Sequence, residues 1–500
     1  MKVALVFNPF SYKLHEENLK IVQRYFGLFP PLSLAWVGAI AERAGHEVHL
    51  IDARTLQLTP AQVLTRLQQI KPDVLGFMMT TYMFRETLDW IRYLRGGLPK
   101  AKVMVGGYNL RVYPQESVMP SEIDFGCFNS AYHTVPQLLE EIESGREHYS
   151  DVPGLIYKRN GDVIQTANGP EPDFDLYPNP ARHLLPNELY AEFPTELKNF
   201  TVMVTSKGCP MGCLFCEAGR TAYNPRSMQR VVDEMEECYH HFGIREIDIF
   251  DYEFVINRPR ALAICREIQR RGLRLLWACR ARIDSVDDEL LTEMQKAGCG
   301  RIYYGIETGD ADMMKRINKG ITLEQVRETV HLTKSKGIRS LGFFLIGSPG
   351  ETRATIRKTL KFARSLPLDY VQFSKTTAKP LTSLWQDLVQ ESGYDYWREY
   401  ILGNAQEAPL PRPWTELTNE EIDEIAAKAY IRHHSRPFFL VRHALACRSF
   451  SEFKRKFLAY LEMLFRQEKV STKDHKFKAY GEDKGKLDWY KKISKWSAPY

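Results

Sequence analysis

The chain has 500 residues, 44% hydrophobic and 26% charged, with a formal net charge of +6. That length predicts roughly two to four domains, and the balanced composition excludes a disordered, collagenous or coiled-coil chain. Residues 451–500 carry 13 Lys and Arg against 7 Asp and Glu, a surplus equal to the whole net charge. The remainder is neutral, which is not the footprint of a nucleic-acid-binding protein. No run of about 18 apolar residues occurs, so no transmembrane helix is expected. The opening MKVALVFNPFSYK is too short in its apolar run for a secretory signal, and we read it as a strand of a cytoplasmic protein.

The first part, 1–144, alternates apolar runs with helical patterns. KVALVF (2–7), HEVHLID (46–52), DVLGFMM (73–79), AKVMVGG (101–107) and EIDFGCF (122–128) read as strands. Helices are predicted over 32–45, stopped by Gly45, over 60–70 and 84–97, and after the fifth strand to Ser144. Such alternation implies parallel βαβ units and a doubly wound sheet of the α/β class. Ligands of these sheets lie beyond the carboxyl ends of the strands. Those ends are Asn8, Asp52, Thr80, Thr81, Gly106 and Gly107.

The second part, 145–197, is proline-rich. Its GLIYKRNGDVIQ (154–165) reads as a hairpin turning at Asn160-Gly161, and the rest as an extended connector. The third part, 198–385, repeats the strand–helix alternation. Its strands are FTVMVTS (200–206), EIDIFD (246–251), LRLLWACR (273–280), GRIYYGIE (300–307), RSLGFFLIG (339–347) and DYVQFSK (369–375). Six βα units fall short of the eight of a complete barrel, so a partial (β/α)6 barrel, open on one side, is expected. The last part, 386–500, is helical and aromatic, with amphipathic helices predicted over 420–445 and 451–470 and a basic tail. Trp385 at its border and its Tyr394, Tyr396, Trp397, Tyr400 and Trp414 either close the barrel's open side and line a pocket or are ordinary helix packing. The basic helix 451–470 either packs on the barrel or makes peripheral membrane contact.

Nine cysteines in a long chain do not form a disulfide framework. Three of them, Cys209, Cys213 and Cys216, fall in TSKGCPMGCLFC (205–216) directly after a predicted strand. Three thiolates on one tight loop hold three corners of a cubane iron–sulfur cluster and leave one metal position free. A structural zinc site wants a fourth Cys or His; the next such residues, Cys238, His240 and His241, sit on a predicted helix. Gly208 and Gly212 permit sharp turns, and Phe215 is placed to shield a cluster.

This loop, with an aromatic before its last cysteine, resembles the radical S-adenosylmethionine superfamily. The resemblance continues through DIFDYEF (248–254), RARIDSVDDELLTEMQKAGCGRIYYGIET (280–308), INKGIT (317–322) and FLIGSPGET (344–352). The first part resembles the cobalamin-binding domain preceding this barrel in one large subfamily, through FPPLSLAWVGAIAERAGHEVHLIDA (29–53) and VMVGGYN (103–109). YIRHHSRPFFLVRHAL (430–445) is also similar to that subfamily.

The resemblance implies that Cys209, Cys213 and Cys216 ligate a 4Fe-4S cluster whose free iron binds S-adenosylmethionine. Glu307 matches a position contacting that cofactor, and Arg282 one where a cation meets its carboxylate, a surface ion pair being the plainer reading of Arg282. Gly347, Pro349 and Gly350 match a turn near the adenosine, and make a strand-to-helix turn in any case. Asp251 and Glu253 end the second barrel strand as substrate contacts or capping acids. Cobalamin would bind across Thr80, Thr81, Gly106, Gly107 and Tyr108. No Asp-x-His-x-x-Gly motif occurs, and His49 reads as structural, so cobalt would lack a histidine ligand.

The implied function is a cobalamin-dependent radical methyltransferase acting on an unactivated carbon of a small-molecule or lipid-like substrate. An external one-electron reductant such as flavodoxin or ferredoxin is implied with it. A cyclase or oxidoreductase using the same cofactors stays open, as does an iron–sulfur electron carrier. A methylthio-transferring enzyme is disfavoured, because such relatives carry a second cluster and no second cysteine triplet exists here.

Overall fold

In the computed structural model, which describes residues 1–10, 27–192, 195–197, 199–405 and 412–436, the N-terminal apolar runs form five parallel strands. These are β1 (Lys2–Phe7), β2 (Glu47–Asp52), β3 (Val74–Met78), β4 (Lys102–Gly106) and β5 (Phe125–Cys127). Between and after them run α1 (Leu32–Arg43), α2 (Pro60–Ile70), α3 (Phe84–Gly97), the short α4 (Tyr108–Val112) and α5 (Pro114–Val118), and α6 (Ala131–Ser144). Alternation along β1 shows why the strands read as continuous apolar runs. Val3 and Leu5 pack with Leu34, Ile40, Val135 and Leu138 of α1 and α6. Ala4 and Val6 pack on the other face with Val63, Leu67, Leu88 and Ile91 of α2 and α3. A sheet covered on both faces needs apolar residues at every position.

The sheet order is β2-β1-β3-β4-β5-β6-β7, so the winding reverses between β1 and β3. Ligands of open α/β sheets bind at such a reversal. β6 (Leu155–Arg159) and β7 (Asp162–Gln165) are the hairpin read from sequence as part of the connector. β6 pairs antiparallel with β5, so the hairpin extends this first sheet. Its turn residue Asn160 has φ +55°, as a tight hairpin turn requires.

The second sheet contains β8 (Phe200–Met203), β11 (Glu246–Ile249), β12 (Leu276–Ala281), β13 (Cys299–Glu307), β14 (Arg339–Ile346) and β15 (Tyr370–Lys375), all parallel and in chain order. The ribbon strands β9 (Ser206–Lys207) and β10 (Asn224–Pro225) stand apart from it. Helices α7 (Met228–His240), α8 (Arg258–Arg270), α9 (Asp288–Lys296), α10 (Ala311–Arg316), α11 (Leu323–Ser335) and α12 (Arg353–Ser365) follow the strands. Most start at a side-chain cap: Ser227, Asn257, Asp287, Thr322 and Thr352 each accept a backbone N–H of the first turn. The sheet curls into the expected open half-barrel.

The C-terminal part forms α13 (Ser383–Ser392), α14 (Tyr396–Leu402) and α15 (Asn419–His434). Of the aromatic stretch, Trp385, Tyr394, Tyr396 and Trp397 line a pocket with Thr377 and Ala378, and Trp414 Nε1 donates to Gly347 O at 2.8 Å. Trp397, Tyr400 and Ile401 join the core of the first domain, where Trp397 meets Tyr82 edge-on at 5.0 Å. The barrel's edge strand β15 is covered by α15, whose Ile422, Ala426 and Ala429 enter the barrel core. The helix predicted over 420–445 is helical to His434 and not at Ser435 and Arg436, while 437–445 and the 451–470 helix lie outside the described residues. Among the described residues no helix is long and apolar enough to cross a membrane.

Candidate cofactor-binding active site

The cysteine loop begins where β8 ends, and a buried carboxylate holds its first residues. Asp251 accepts from Thr205 N (2.6 Å), Thr205 Oγ1 (2.5 Å) and Ser206 Oγ (2.7 Å). It pins the loop, rather than facing a substrate or capping a helix. The β9–β10 ribbon closes the loop's base. Cys209 N donates to Thr221 Oγ1 and Thr221 N returns to Cys209 O, each at 3.0 Å. Gly208 has φ +77°, and a Cβ there would collide with the Ala222 carbonyl. Gly212 is needed for space rather than for its φ: a Cβ would stand 3.0 Å from Asn318 Nδ2 and 3.2 Å from Arg220 Nε.

Cys209 is buried, and Cys213 and Cys216 are half-buried. Burial raises the Cys209 thiol and pushes Cys216 up to about 11. Among the described residues no three His, Cys, Asp or Glu donors converge on one metal ion. Three thiols carried by one loop suit three irons of a cubane cluster.

Beside the loop runs a line of charge that the sequence only half revealed. β13 bulges at Ile306, so that Gly305 pairs with Phe343 and Glu307 with Phe344. Bulges re-aim the side chain that follows. Glu307, at φ +70°, points its carboxylate at Lys319 Nζ, 2.9 Å away, with both residues buried. Burial opposes the Lys319 charge, but Glu307 and the Cys213 sulfur outweigh it and raise the lysine pKa. Arg282 forks onto Asp284 at 2.8 and 2.9 Å and donates to Lys319 O at 2.9 Å. The sequence places Lys319 inside INKGIT (317–322), a segment similar to the family, but assigns it no role.

Glu253 completes this side. One oxygen accepts the Arg282 backbone N–H; the other, Oε1, is buried without a protein partner. Burial pushes its carboxyl up to about 8. A buried acceptor left open beside two cations and the loop fits a ligand bearing both an ammonium and a carboxylate, as S-adenosylmethionine does. Gly347 (φ +79°), half-buried Pro349 and Gly350 (φ +74°) form the turn after β14. The Gly347 and Ser348 amides donate to Glu351 at 2.6 and 3.1 Å. These residues lie at the same carboxyl end of the half-barrel as Glu307.

The predicted edge of the first sheet is present as a cradle. Gly107 has φ +116°, and a Cβ would stand 2.9 Å from Met79 O. Around it three buried oxygens have no protein partner: Asn8 Oδ1, Thr81 Oγ1 and Asn109 Oδ1. Thr80 precedes the 3-10 turn Thr81–Met83, and Gly106 ends β4. Orphaned acceptors at a glycine-lined strand edge fit an amide-rich ligand such as cobalamin. Asp52 is not free for it, since it accepts from Tyr190 at 2.9 Å and from Thr55 N. His49 pairs with Glu47 at 2.8 Å within β2, consistent with a structural role.

The edge faces the cysteine loop. Tyr108 donates to Pro380 O at 3.3 Å. Burial raises its phenol most, and Glu217, Tyr252 and Cys216 add to that. Tyr252 is 50% exposed. Its hydroxyl lies within electrostatic range of Glu217, Cys216, Lys379 and Arg111. Between edge and loop opens the inner face of the half-barrel. Leu341, Phe343 and Leu345 of β14 and Gln372 and Ser374 of β15 are its half-exposed residues. Arg280 lies over the Phe250 and Tyr303 rings at 4.0 and 4.8 Å and forks onto Asp248. Glu192 reaches this floor from the connector, and burial pushes its carboxyl up to about 8.

Comparison with known proteins agrees with this geometry. Residues 203–363 match the radical SAM superfamily and residues 19–139 the B12 binding domain. An uncharacterised methyltransferase of Pyrococcus horikoshii is 30% identical over 451 residues, covering 88% of this chain and 94% of the relative. An anaerobic magnesium-protoporphyrin IX monomethyl ester cyclase of Rubrivivax gelatinosus is 27% identical over 372 residues, covering 72% and 67%. The fold resembles that of the radical S-adenosylmethionine methyltransferase TsrM of Kitasatospora setae, with a TM-score of 0.63, 20% identity, and 78% and 75% of the two chains covered. The cysteine loop, the half-barrel and the preceding cobalamin-type sheet therefore make this chain a member of the cobalamin-binding branch of the radical SAM superfamily.

Proposed function

We propose that the protein is a cobalamin-dependent radical C-methyltransferase that methylates an unactivated carbon of a small-molecule or lipid-like substrate. The observation carrying this reading is that Tyr108, at the edge of the first sheet, lies beside Cys216 and Glu217 of the cysteine loop and Tyr252. Cys209, Cys213 and Cys216 would hold the 4Fe-4S cluster. Glu253, Arg282, Glu307 and Lys319 would orient S-adenosylmethionine, with the Gly347–Gly350 turn nearby. Thr80, Thr81, Gly106, Gly107 and Tyr108 would hold cobalamin. Together these groups supply hydrogen abstraction by a carbon radical and a transferable methyl group.

The chain's own part is placement and exclusion of water. Glu253 Oε1 offers an acceptor to an ammonium, and its raised pKa lets it hold a proton until a cation arrives. Tyr108 and Tyr252 wall the chamber between edge and loop, and the apolar Leu341, Phe343 and Leu345 keep its far side dry. Small-molecule substrates have precedent in TsrM, solved with tryptophan bound, and lipid-like ones in a relative named hopanoid C-3 methylase. The cyclase relatives favour one second reading, ring formation with the same cofactors. An external one-electron reductant belongs to either reading. Peripheral membrane contact through 451–470 rests on sequence alone, and co-sedimentation with anionic vesicles at low salt tests it.

The deciding experiment is anaerobic incubation of protein reconstituted with iron, sulfide and cobalamin with S-adenosylmethionine, dithionite and a panel of small-molecule and lipid-like candidate acceptors. Mass spectrometry follows 5′-deoxyadenosine and S-adenosylhomocysteine, with Cys213→Ala as control. Both products, absent in the variant, together with a product heavier by one CH2, support methyl transfer. Deoxyadenosine with a product that gains no carbon supports the cyclase reading. A protein that takes up zinc and no iron overturns both.

A further inference from the structure

One guanidinium inside the half-barrel keeps two of its donors open. Arg280 of β12 stands opposite Tyr303 of β13, and Tyr303 opposite Leu341 of β14, so the three form a row across the inner face. The row lies two residues ahead of Arg282, about 6–7 Å below the rim at the usual rise of a strand. Nη1 of Arg280 donates to Asp248 Oδ1 at 2.6 Å and to Ile249 O at 2.7 Å, and Nη2 donates to Asp248 Oδ2 at 3.2 Å. A guanidinium carries five N–H donors in one plane, and these bonds use three. The two that remain, on Nε and Nη2, lie side by side on one edge. Among the described residues no protein group accepts from that edge. The Arg280 side chain is 24% exposed, whereas Asp248 is fully buried. The Phe250 and Tyr303 rings, at 4.0 and 4.8 Å, hold the guanidinium in place.

Two parallel N–H donors on one edge match the two oxygens of a carboxylate. The surrounding charge does not forbid an anion. Arg280 and Arg301 stand there against Asp248, Glu192 and Glu246. Burial pushes Glu192 up to about 8 and Glu246 up to about 7, so at neutral pH these acids carry less charge than their number suggests. Toward the rim the face is apolar. The Phe343 ring lies parallel to Tyr303 at 5.9 Å, and Leu341, Phe343 and Leu345 are half-exposed on one side of β14.

We propose that Arg280 anchors a substrate carboxylate, and that the substrate is an amphipathic acid whose apolar body lies along Leu341, Phe343 and Leu345. The inference rests on the methyltransferase reading above and narrows its substrate class. The carboxylate sits at the deep end and the reacting carbon toward the rim, so the two are well separated along the molecule. Arg280 binds and orients, and takes no part in bond making.

The test measures binding of decanoate, decan-1-ol and decylamine to the cluster- and cobalamin-loaded protein by calorimetry. Decanoate is expected to bind at least about tenfold more tightly than either of the others, as one bidentate charge-assisted contact implies. Arg280→Met alone would strand the buried Asp248, so it is combined with Asp248→Asn. This pair of changes should weaken decanoate about tenfold and move decan-1-ol by less than about twofold. Arg280→Lys keeps Asp248 paired but loses the two-donor edge, and should weaken decanoate about threefold or more. It also serves if the double variant does not fold. Decanoate bound no more tightly than decan-1-ol, no binding of either, or a decanoate affinity unmoved by both variants overturns the anchor. Tightest binding of decylamine overturns it too, because the floor then selects a cation. Wild-type protein that forms no deoxyadenosine with S-adenosylmethionine and dithionite overturns the radical reading instead, so the two failures are distinguishable.

Discussion

Glu307 sits at a bulge with φ +70°, a backbone state costing about 1–3 kcal/mol for a non-glycine residue. The pair with Lys319 offsets that strain, and Gly305 makes room for it. In Gly305→Ala the new Cβ would lie 2.5 Å from Glu307 Oε1 and 2.7 Å from Lys319 Nζ. We expect the folded, cluster-loaded variant to bind S-adenosylmethionine at least about tenfold more weakly in equilibrium dialysis, as one displaced charge-assisted contact implies. Unchanged affinity would detach this pair from the cofactor site. Asp251 makes a different kind of contribution, holding two hydroxyls and an amide in a dry site. Asp251→Ala should cost about 3 kcal/mol in urea unfolding and lower the iron content after reconstitution, because the loop loses its anchor.

Among elements, α7 shows how the connector is fixed to the barrel. Glu234 on this helix receives Arg182 from the connector at 2.6 Å and also pairs with Arg226, and all three are buried. Burial alone would raise the Glu234 carboxyl, but the two guanidiniums outweigh it and hold its pKa below the usual value. The stability it contributes is therefore present above the unfolded pKa of about 4.5 and is lost as pH falls through the lower folded value. Glu234→Gln leaves two buried cations without a counter-charge. It should cost about 3–5 kcal/mol at pH 7, with the gap to wild type closing below about pH 4. Urea midpoints at the two pH values check this, and a gap independent of pH would show that the triad acts by packing alone.

At other buried carboxyls of the molecule the opposite sign operates. Burial pushes Glu192 up to about 8 and Glu246 and Glu351 up to about 7. Between about pH 4.5 and 8 these three sites thus bind more protons in the folded chain than in the unfolded one, and they make stability fall as pH rises. Glu351→Gln keeps an acceptor for the Gly347 and Ser348 amides but cannot ionise. The variant should gain on the order of 2 kcal/mol over wild type at pH 8 and little at pH 5, measured by urea unfolding of the cofactor-free chain. Equal stability of the two proteins at pH 8 would mean that Glu351 is already solvated when charged.

The sequence by itself determined the strand–helix alternation of both sheets, the open half-barrel and the cysteine triplet. These are local properties: apolar periodicity reports which side of a segment is covered, and the ligand spacing lies within eight residues. Only the tertiary structure decided which distant segments meet. It placed the hairpin 155–165 on β5, turned Trp397 and Tyr400 into the first domain, and laid α15 on β15. It also brought Lys319 to Glu307, left Glu253 Oε1 open beside the loop, and assigned Asp251 to the backbone it anchors. A buried charge is set by its partner, and that partner is 12 residues away for the Glu307–Lys319 pair and 46 for the bond between Asp251 and Thr205. No pattern within one segment carries that information, because it arises only when the curled sheet brings the strand ends onto a common rim.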